Sequence, residues 1–167
     1  MFDNTKPNII LISDNTDVIT MSRTLGIHKV AYCLRLAGYQ VAVIHHASTF
    51  SIKEMTHLLS ELVSDHTLFV GINNFFYSSI SDILVRNDGS VELRQVEHGS
   101  LLPHGRQFND HIKNTILQKN KHCKLVLGGP TALDVDYNSI FDYVIVGYAE
   151  QSVVSLADFL SKQTTEL

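Results

Sequence analysis

The residues in this chain whose types and spacing suit chemistry are glycines, amides and aromatics at the ends of apolar runs. Gly128-Gly129-Pro130-Thr131 follows one such run, and Gly147-Tyr148-Ala149-Glu150 follows another. Glycine has no Cβ, so the backbone can pass close to a bulky ligand there. The same residues also suit a tight turn with positive φ, and the pattern alone leaves both readings open. Glu150 fits the amino end of a helix, where a carboxylate meets the positive end of the dipole. Asn73-Asn74-Phe75-Phe76-Tyr77 supplies amides that can hydrogen-bond ligand substituents and rings that can pack on a flat surface. A buried loop anchor is the alternative for that segment.

Other chemistries fail on missing residues. No Gly-x-Gly-x-x-Gly follows the first apolar run, and no Gly-x-x-x-x-Gly-Lys-Ser/Thr loop occurs. Ser13-Asp14-Asn15-Thr16-Asp17 contains no glycine to cradle a phosphate. A phosphoacceptor domain needs an Asp and a Lys where this chain has Asn73 and Gly147. His45 and His46 are adjacent in an extended segment, so they point to opposite sides and fall short of a metal ligand set. His28 and Lys29 open a helix, where a solvated polar turn is simpler than a contact to a ligand carboxamide or phosphate. His57, His66, His111 and His122 read as surface groups. His98 and His104 have no Cys or carboxylate at ligand spacing. No metal site and no catalytic acid/base pair are assigned.

The elements that position these segments alternate along the chain. Apolar runs at Asn8–Ser13, Gln40–His45, Thr67–Asn73, Lys124–Leu127 and Tyr143–Val146 have the length of strands covered on both faces. Between them, apolar residues recur at helical spacing. Ile27, Val30, Ala31, Leu34 and Ala37 mark a helix ended by Gly38. Ser51 and Glu54 form a capping-box pattern ahead of Met55, Leu58, Leu59 and Leu62. Phe108, Ile112 and Ile116 mark a third helix, and Val153, Leu156, Ala157 and Leu160 a last one.

Residues 74–123 separate the third core strand from the fourth, far more than the dozen or so that a crossover needs. Ile83–Arg86 and Val91–Arg94 around Asp88-Gly89 read as a hairpin inserted in that crossover, spanning 81–99. The expectation is one α/β domain over 1–167, with a tail that frays over 161–167. Its sheet is a three-layer, Rossmann-like (flavodoxin-like) parallel one of about five strands in the order 2-1-3-4-5. Ligands of such sheets bind where the strand order reverses, at the carboxyl ends.

Composition narrows the partners. The chain has 167 residues, 44% hydrophobic and 18% charged, as in ordinary folded domains. A formal charge of −4 without a basic cluster argues against nucleic acid. Apolar runs are strand-sized, too short to span a bilayer, and the first residues show no secretory pattern. Cys33 and Cys123 are far apart and read as reduced thiols, so the expected setting is the cytoplasm.

Three segments together resemble a known family. Leu25–Val41, Lys124–Thr131 with its strand ending in Gly-Gly-Pro, and Asp142–Glu150 with its strand ending in glycine are similar to cobalamin-binding domains. The type they resemble stands N-terminal in cobalamin-dependent radical S-adenosylmethionine enzymes. The resemblance implies cobalamin as cofactor and a site built from Ser13, Asp14 and Asn15 on the nucleotide side. Asn73, Asn74 and Phe75 would meet the corrin ring, with Gly128, Gly129, Pro130, Thr131, Gly147, Tyr148 and Glu150 along the slot. The loop 14–24 has no His to serve as lower cobalt ligand, and Tyr148 stands where relatives often have Glu. With two distant cysteines the chain cannot hold the usual iron–sulfur cluster. The resemblance therefore implies a domain that holds or presents a corrinoid to a separate radical S-adenosylmethionine catalytic subunit. The alternative is a degenerate Rossmann-like protein-interaction module that no longer binds cobalamin.

Overall fold

Ile9–Ile12 is a run of four apolar residues, and all four are buried in the first strand, β1. Such a run has no polar face to offer water, so it belongs at the middle of a sheet. The computed structural model describes residues 6–13, 25–45, 47, 50–73, 82–85, 91–94, 106–129 and 141–165. After β1 come α1 (Leu25–Leu36), β2 (Val41–Ile44), α2 (Ile52–Leu62) and β3 (Phe69–Asn73). Then follow β4 (Asp82–Val85), β5 (Val91–Arg94), α3 (Arg106–Lys119), β6 (Lys124–Gly129), β7 (Tyr143–Val146) and α4 (Glu150–Thr165).

The main sheet has the order β2-β1-β3-β6-β7 and every pairing in it is parallel. Counting core strands only, this is the doubly wound order 2-1-3-4-5 expected from the alternation. β4 and β5 form a separate antiparallel pair, with Asp82 opposite Arg94 and Val85 opposite Val91. The inserted hairpin thus begins and ends its first strand one residue earlier than expected, and its Asp88-Gly89 turn lies outside the described residues. The helix α4 continues to Thr165, past Ser161, where fraying was expected to begin. Buried Val153, Ala157 and Leu160 hold it on the sheet, and that anchorage carries the turns that follow.

Strand alternation sends side chains to two separate cores. Ile10, Ile12, Val70, Ile72 and Leu125 meet Met55 and Leu59 of α2 and Ile112 and Ile116 of α3. Ile9, Leu11, Phe69 and Val126 meet Ile27, Ala31 and Leu34 of α1 and Val153, Ala157 and Leu160 of α4. A one-residue slip in any strand would exchange the two sets, so register is strongly fixed.

Helix ends follow local chemistry. Ser51 and Glu54 complete the capping box of α2: Glu54 N–H donates to Ser51 Oγ at 3.2 Å and Ser51 N–H to Glu54 Oε2 at 2.7 Å. The Ser51 backbone N–H holds the Glu54 carboxyl below its ordinary pKa. Gly38, at φ +94°, ends α1, with Tyr39 N–H donating to Leu34 O and Gly38 N–H to Arg35 O. A residue with a Cβ is strained in that conformation, which is why glycine stands there.

Candidate ligand-binding site

The parallel strands leave the sheet at one end, and there the layer formed by α1 and α4 does not close over the sheet. A cavity of about 330 Å³ lies between them. Its floor is Leu11, Phe69, Gly71 and Val126 from three neighbouring strands. Leu25, Gly26, Ile27 and Val30 of α1 form one wall, and Ala149, Glu150 and Val153 form the other. The carboxyl ends of β3, β6 and β7 add Asn73, Gly128, Gly129, Ile145, Gly147 and Tyr148. The cavity therefore straddles β1 and β3, between which the strand order reverses.

Glycine does three different things around it. Gly71 lies opposite Leu11 in register, and a Cβ there would stand 2.9 Å from Leu11 Cδ2, so glycine leaves room for the floor. Gly128 faces the cavity from the same side of β6 as Val126, and the nearest atom to an added Cβ would be Ile145 O at 4.0 Å. A Cβ at Gly128 would thus stand on the cavity side with no described atom nearer than 4.0 Å. Gly129 and Gly147 have φ of +141° and +80°, and Gly147 N–H donates to Gly129 O at 3.3 Å. Their conformation, which L side chains rarely adopt, ends β6 and β7 together at the rim.

Of the residues expected at the site, the fold brings Asn73, Gly128, Gly129, Gly147, Tyr148 and Glu150 around this one cavity. Ser13 is not among the described lining residues. It is fully buried, and its backbone ties the end of β1 to the β2 side, donating to Ile44 O and accepting from Ala47 N–H. Asp14, Asn15, Asn74, Phe75, Pro130 and Thr131 lie outside the described residues. The wall from α1 was missed in sequence. Leu25, Gly26, Ile27 and Val30 face the cavity rather than His28 or Lys29. The signal for Leu25 was weak, because an apolar residue at a helix start reads equally as core. Gly71 carried a signal, since glycine inside a strand marks close approach.

Among the described residues the lining is mostly apolar, with the Asn73 amide, the Tyr148 phenol and the Glu150 carboxylate as polar side chains. It includes no Cys, His, Ser or Lys in the described set, so no nucleophile stands beside a base there. Such a cavity binds a largely apolar body and orients it through a few polar groups. Tyr148 is 94% exposed and Leu25 69% exposed, so the mouth is rimmed by large side chains open to solvent.

His28 does have a partner, on the side of α1 away from the cavity. Its Nε2 lies 2.6 Å from Nε2 of His45, just past the end of β2. The ring centroids are 4.4 Å apart and the planes are tilted by 33°, so the nitrogens meet at an angle. One Nε2–H donates and the other Nε2 accepts, which requires complementary tautomers. Among the described residues no group of three or more His, Cys, Asp or Glu is placed to hold a metal. The thiols of Cys33 and Cys123 are free. Burial, with a smaller contribution from Asp142, pushes the Cys123 thiol up to about 12, so it stays neutral.

Comparisons with known proteins bear on the fold. No protein-family model matches the chain, and no curated protein matches its sequence. Two solved structures of TsrM, a radical S-adenosylmethionine methyltransferase from Kitasatospora setae, are similar to it. One, with tryptophan substrate and a S-adenosylmethionine analogue bound, superimposes with a TM-score of 0.61 at 17% identity over 93% of this chain. The other, with cobalamin and a [4Fe-4S] cluster bound, gives 0.61 at 15% identity over 94% of this chain. The chain spans only 26% and 27% of those proteins' lengths. At such identity the likeness is one of fold alone, a Rossmann-like α/β domain. No described helix is long and apolar enough to cross a membrane.

Proposed function

We propose that the cavity holds part of a corrinoid, cobalamin or a close relative, which the domain presents to a separate radical S-adenosylmethionine catalytic subunit. The carrying observation is a glycine-edged apolar cavity at the carboxyl ends of β3, β6 and β7. It lies in a fold shared with a protein whose structure contains cobalamin. A corrinoid is far larger than 330 Å³. The enclosed part would therefore take one apolar arm, leaving the ring at the mouth beside Tyr148 and Leu25. Asn73 would offer its amide to a ring substituent.

Gly128 provides the cleaner test of binding. A valine at Gly129 would bring a strained φ, whereas the Cβ of one at Gly128, where φ is not positive, has no described atom nearer than 4.0 Å. Hydroxocobalamin titrated into the wild type should shift its visible absorption, and Gly128→Val should abolish the shift at an unchanged melting temperature. A wild type that shows no shift at high micromolar hydroxocobalamin would sink the corrinoid reading.

The second reading is a protein-interaction module without cobalamin. It is favoured by a stripe on α1: Leu25, Tyr32 and Leu36 are 61–70% exposed, at spacings that share one helix face.

A further inference from the structure

The outer face of α1 is apolar where a surface helix is ordinarily polar. Ile27, Ala31 and Leu34 point to the core, and Leu25, Tyr32 and Leu36 lie on the opposite side, each more than half exposed. Lys29, also exposed, completes that outer row. The row runs Leu25, Lys29, Tyr32, Leu36, in steps of four, three and four residues. Alternating steps of three and four make the seam of a coiled coil, a row along which a second helix fits side by side. We propose that a second copy of the chain docks on this seam, with the two α1 helices antiparallel across a two-fold axis. The proposal is independent of what the cavity holds.

Lys29 decides both the occupant and its direction. In a parallel pair each residue meets its own copy, so two ammonium groups would face each other in the middle of the seam. In an antiparallel pair Leu25 meets the partner's Leu36, and Lys29 meets the partner's Tyr32. Each ammonium then lies against a ring whose π face attracts cations. A two-fold axis crossing the seam between Lys29 and Tyr32 generates all four contacts at once. Two layers of leucine on leucine stand outside two of lysine on tyrosine. Reversed, the row is its own complement in charge and in apolar surface, which is why a second copy fits it.

The flanks of the seam leave it clear. Toward β2, Arg35 donates from its guanidinium to Val41 O at 2.7 Å, and His28 meets His45. Both basic groups are thereby drawn to the edge of the sheet and away from the row. On the other flank stand Gly26 and Cys33, small residues that let a second helix lie close. At 1.5 Å a residue the row is about 16 Å long and about 10 Å wide. That is well below the roughly 800 Å² that each partner buries in a standard interface. The dimer is therefore reversible and set by concentration.

Sedimentation equilibrium of the whole chain, taken up to about 1 mM, tests the docking. The wild type should fit a monomer–dimer equilibrium. Leu36→Glu should weaken it by at least about tenfold at an unchanged melting temperature, since Leu36 is largely exposed in the single chain. Leu25→Lys combined with Leu36→Glu reads the direction. Antiparallel helices set each new lysine against a new glutamate and restore the dimer, whereas parallel helices set like on like and do not. Leu25 also lines the cavity, so a second reading avoids it: a mixture of wild type and Lys29→Glu. Parallel helices would favour the mixed dimer through a Lys–Glu pair, whereas antiparallel helices set the new glutamate against a ring and disfavour it. A wild type that stays monomeric throughout overturns the proposal and leaves the stripe to a different protein. A dimer that Leu36→Glu leaves intact, or a favoured mixed dimer, overturns it as well.

Discussion

Asn120 shows how much one buried amide can organise. It is only 6% exposed, and its Nδ2 donates to Ser64 O and Thr67 O, both at 3.0 Å. Its Oδ1 accepts from the backbone of His122 and Cys123. One side chain thus binds the end of α3 to the loop between α2 and β3. Asn120→Ala would leave several buried backbone groups unpaired, at a cost of roughly 2–3 kcal/mol. The melting temperature should fall by about 5–10 °C in a circular-dichroism melt, given the usual relation for a chain of this size. A change within 1 °C would mean that water replaces the amide. Nothing in the sequence distinguished Asn120 from other polar residues at a helix end, because two of its four partners, Ser64 and Thr67, lie 56 and 53 residues away. Gly128 and Gly147 were legible, since each ends an apolar run. The sequence could not separate Gly128, which leaves space, from Gly129, which bends the chain, because φ is set by how the two strands end together.

At the scale of elements, α1 is held at both ends, and both ties involve titratable groups. The first is the His28–His45 link. Beyond the other end, Tyr39 donates its phenol to Asp158 Oδ1 of α4 at 2.6 Å. Desolvation, followed by the Asp158 hydrogen bond and charge, pushes Tyr39 up to about 12 from its ordinary 10.0. Between those values the unfolded chain has lost a proton that the native state keeps, so native stability falls as pH rises through the window. Below pH 10 the contribution is fully present. Urea melts from about pH 9 to 12 should show that alkaline loss, and Tyr39→Phe should flatten it. An equally steep loss in Tyr39→Phe would assign the effect to other groups. The helix and strand pattern itself was readable, because the central strands carry unbroken apolar runs and the helices carry apolar residues every three or four positions. The last turns of α4 were not. Their sequence is polar and reads as a fraying end, yet the anchored turns before them extend the helix to Thr165.

For the molecule as a whole, the two faces of the sheet are unequal. Against α2 and α3 the side chains interlock from Ile12 to Ile116. Against α1 and α4 the same sheet is solid near its amino ends and open near its carboxyl ends, where the cavity separates the two helices. Opening a segment costs in proportion to what it has packed, so the molecule has a weak corner and a strong block. Amide hydrogen exchange should resolve them: Gly26, Ile27 and Gln151 exchanging through small local openings, and Ile10, Val70 and Leu125 only through global unfolding. Filling the cavity would raise protection at the corner and leave the gap to the block smaller. Uniform protection across both faces would contradict that division. Were the cavity to take the proposed guest, a sheet with one face locked and the other ajar would exchange it at the corner without risking its fold.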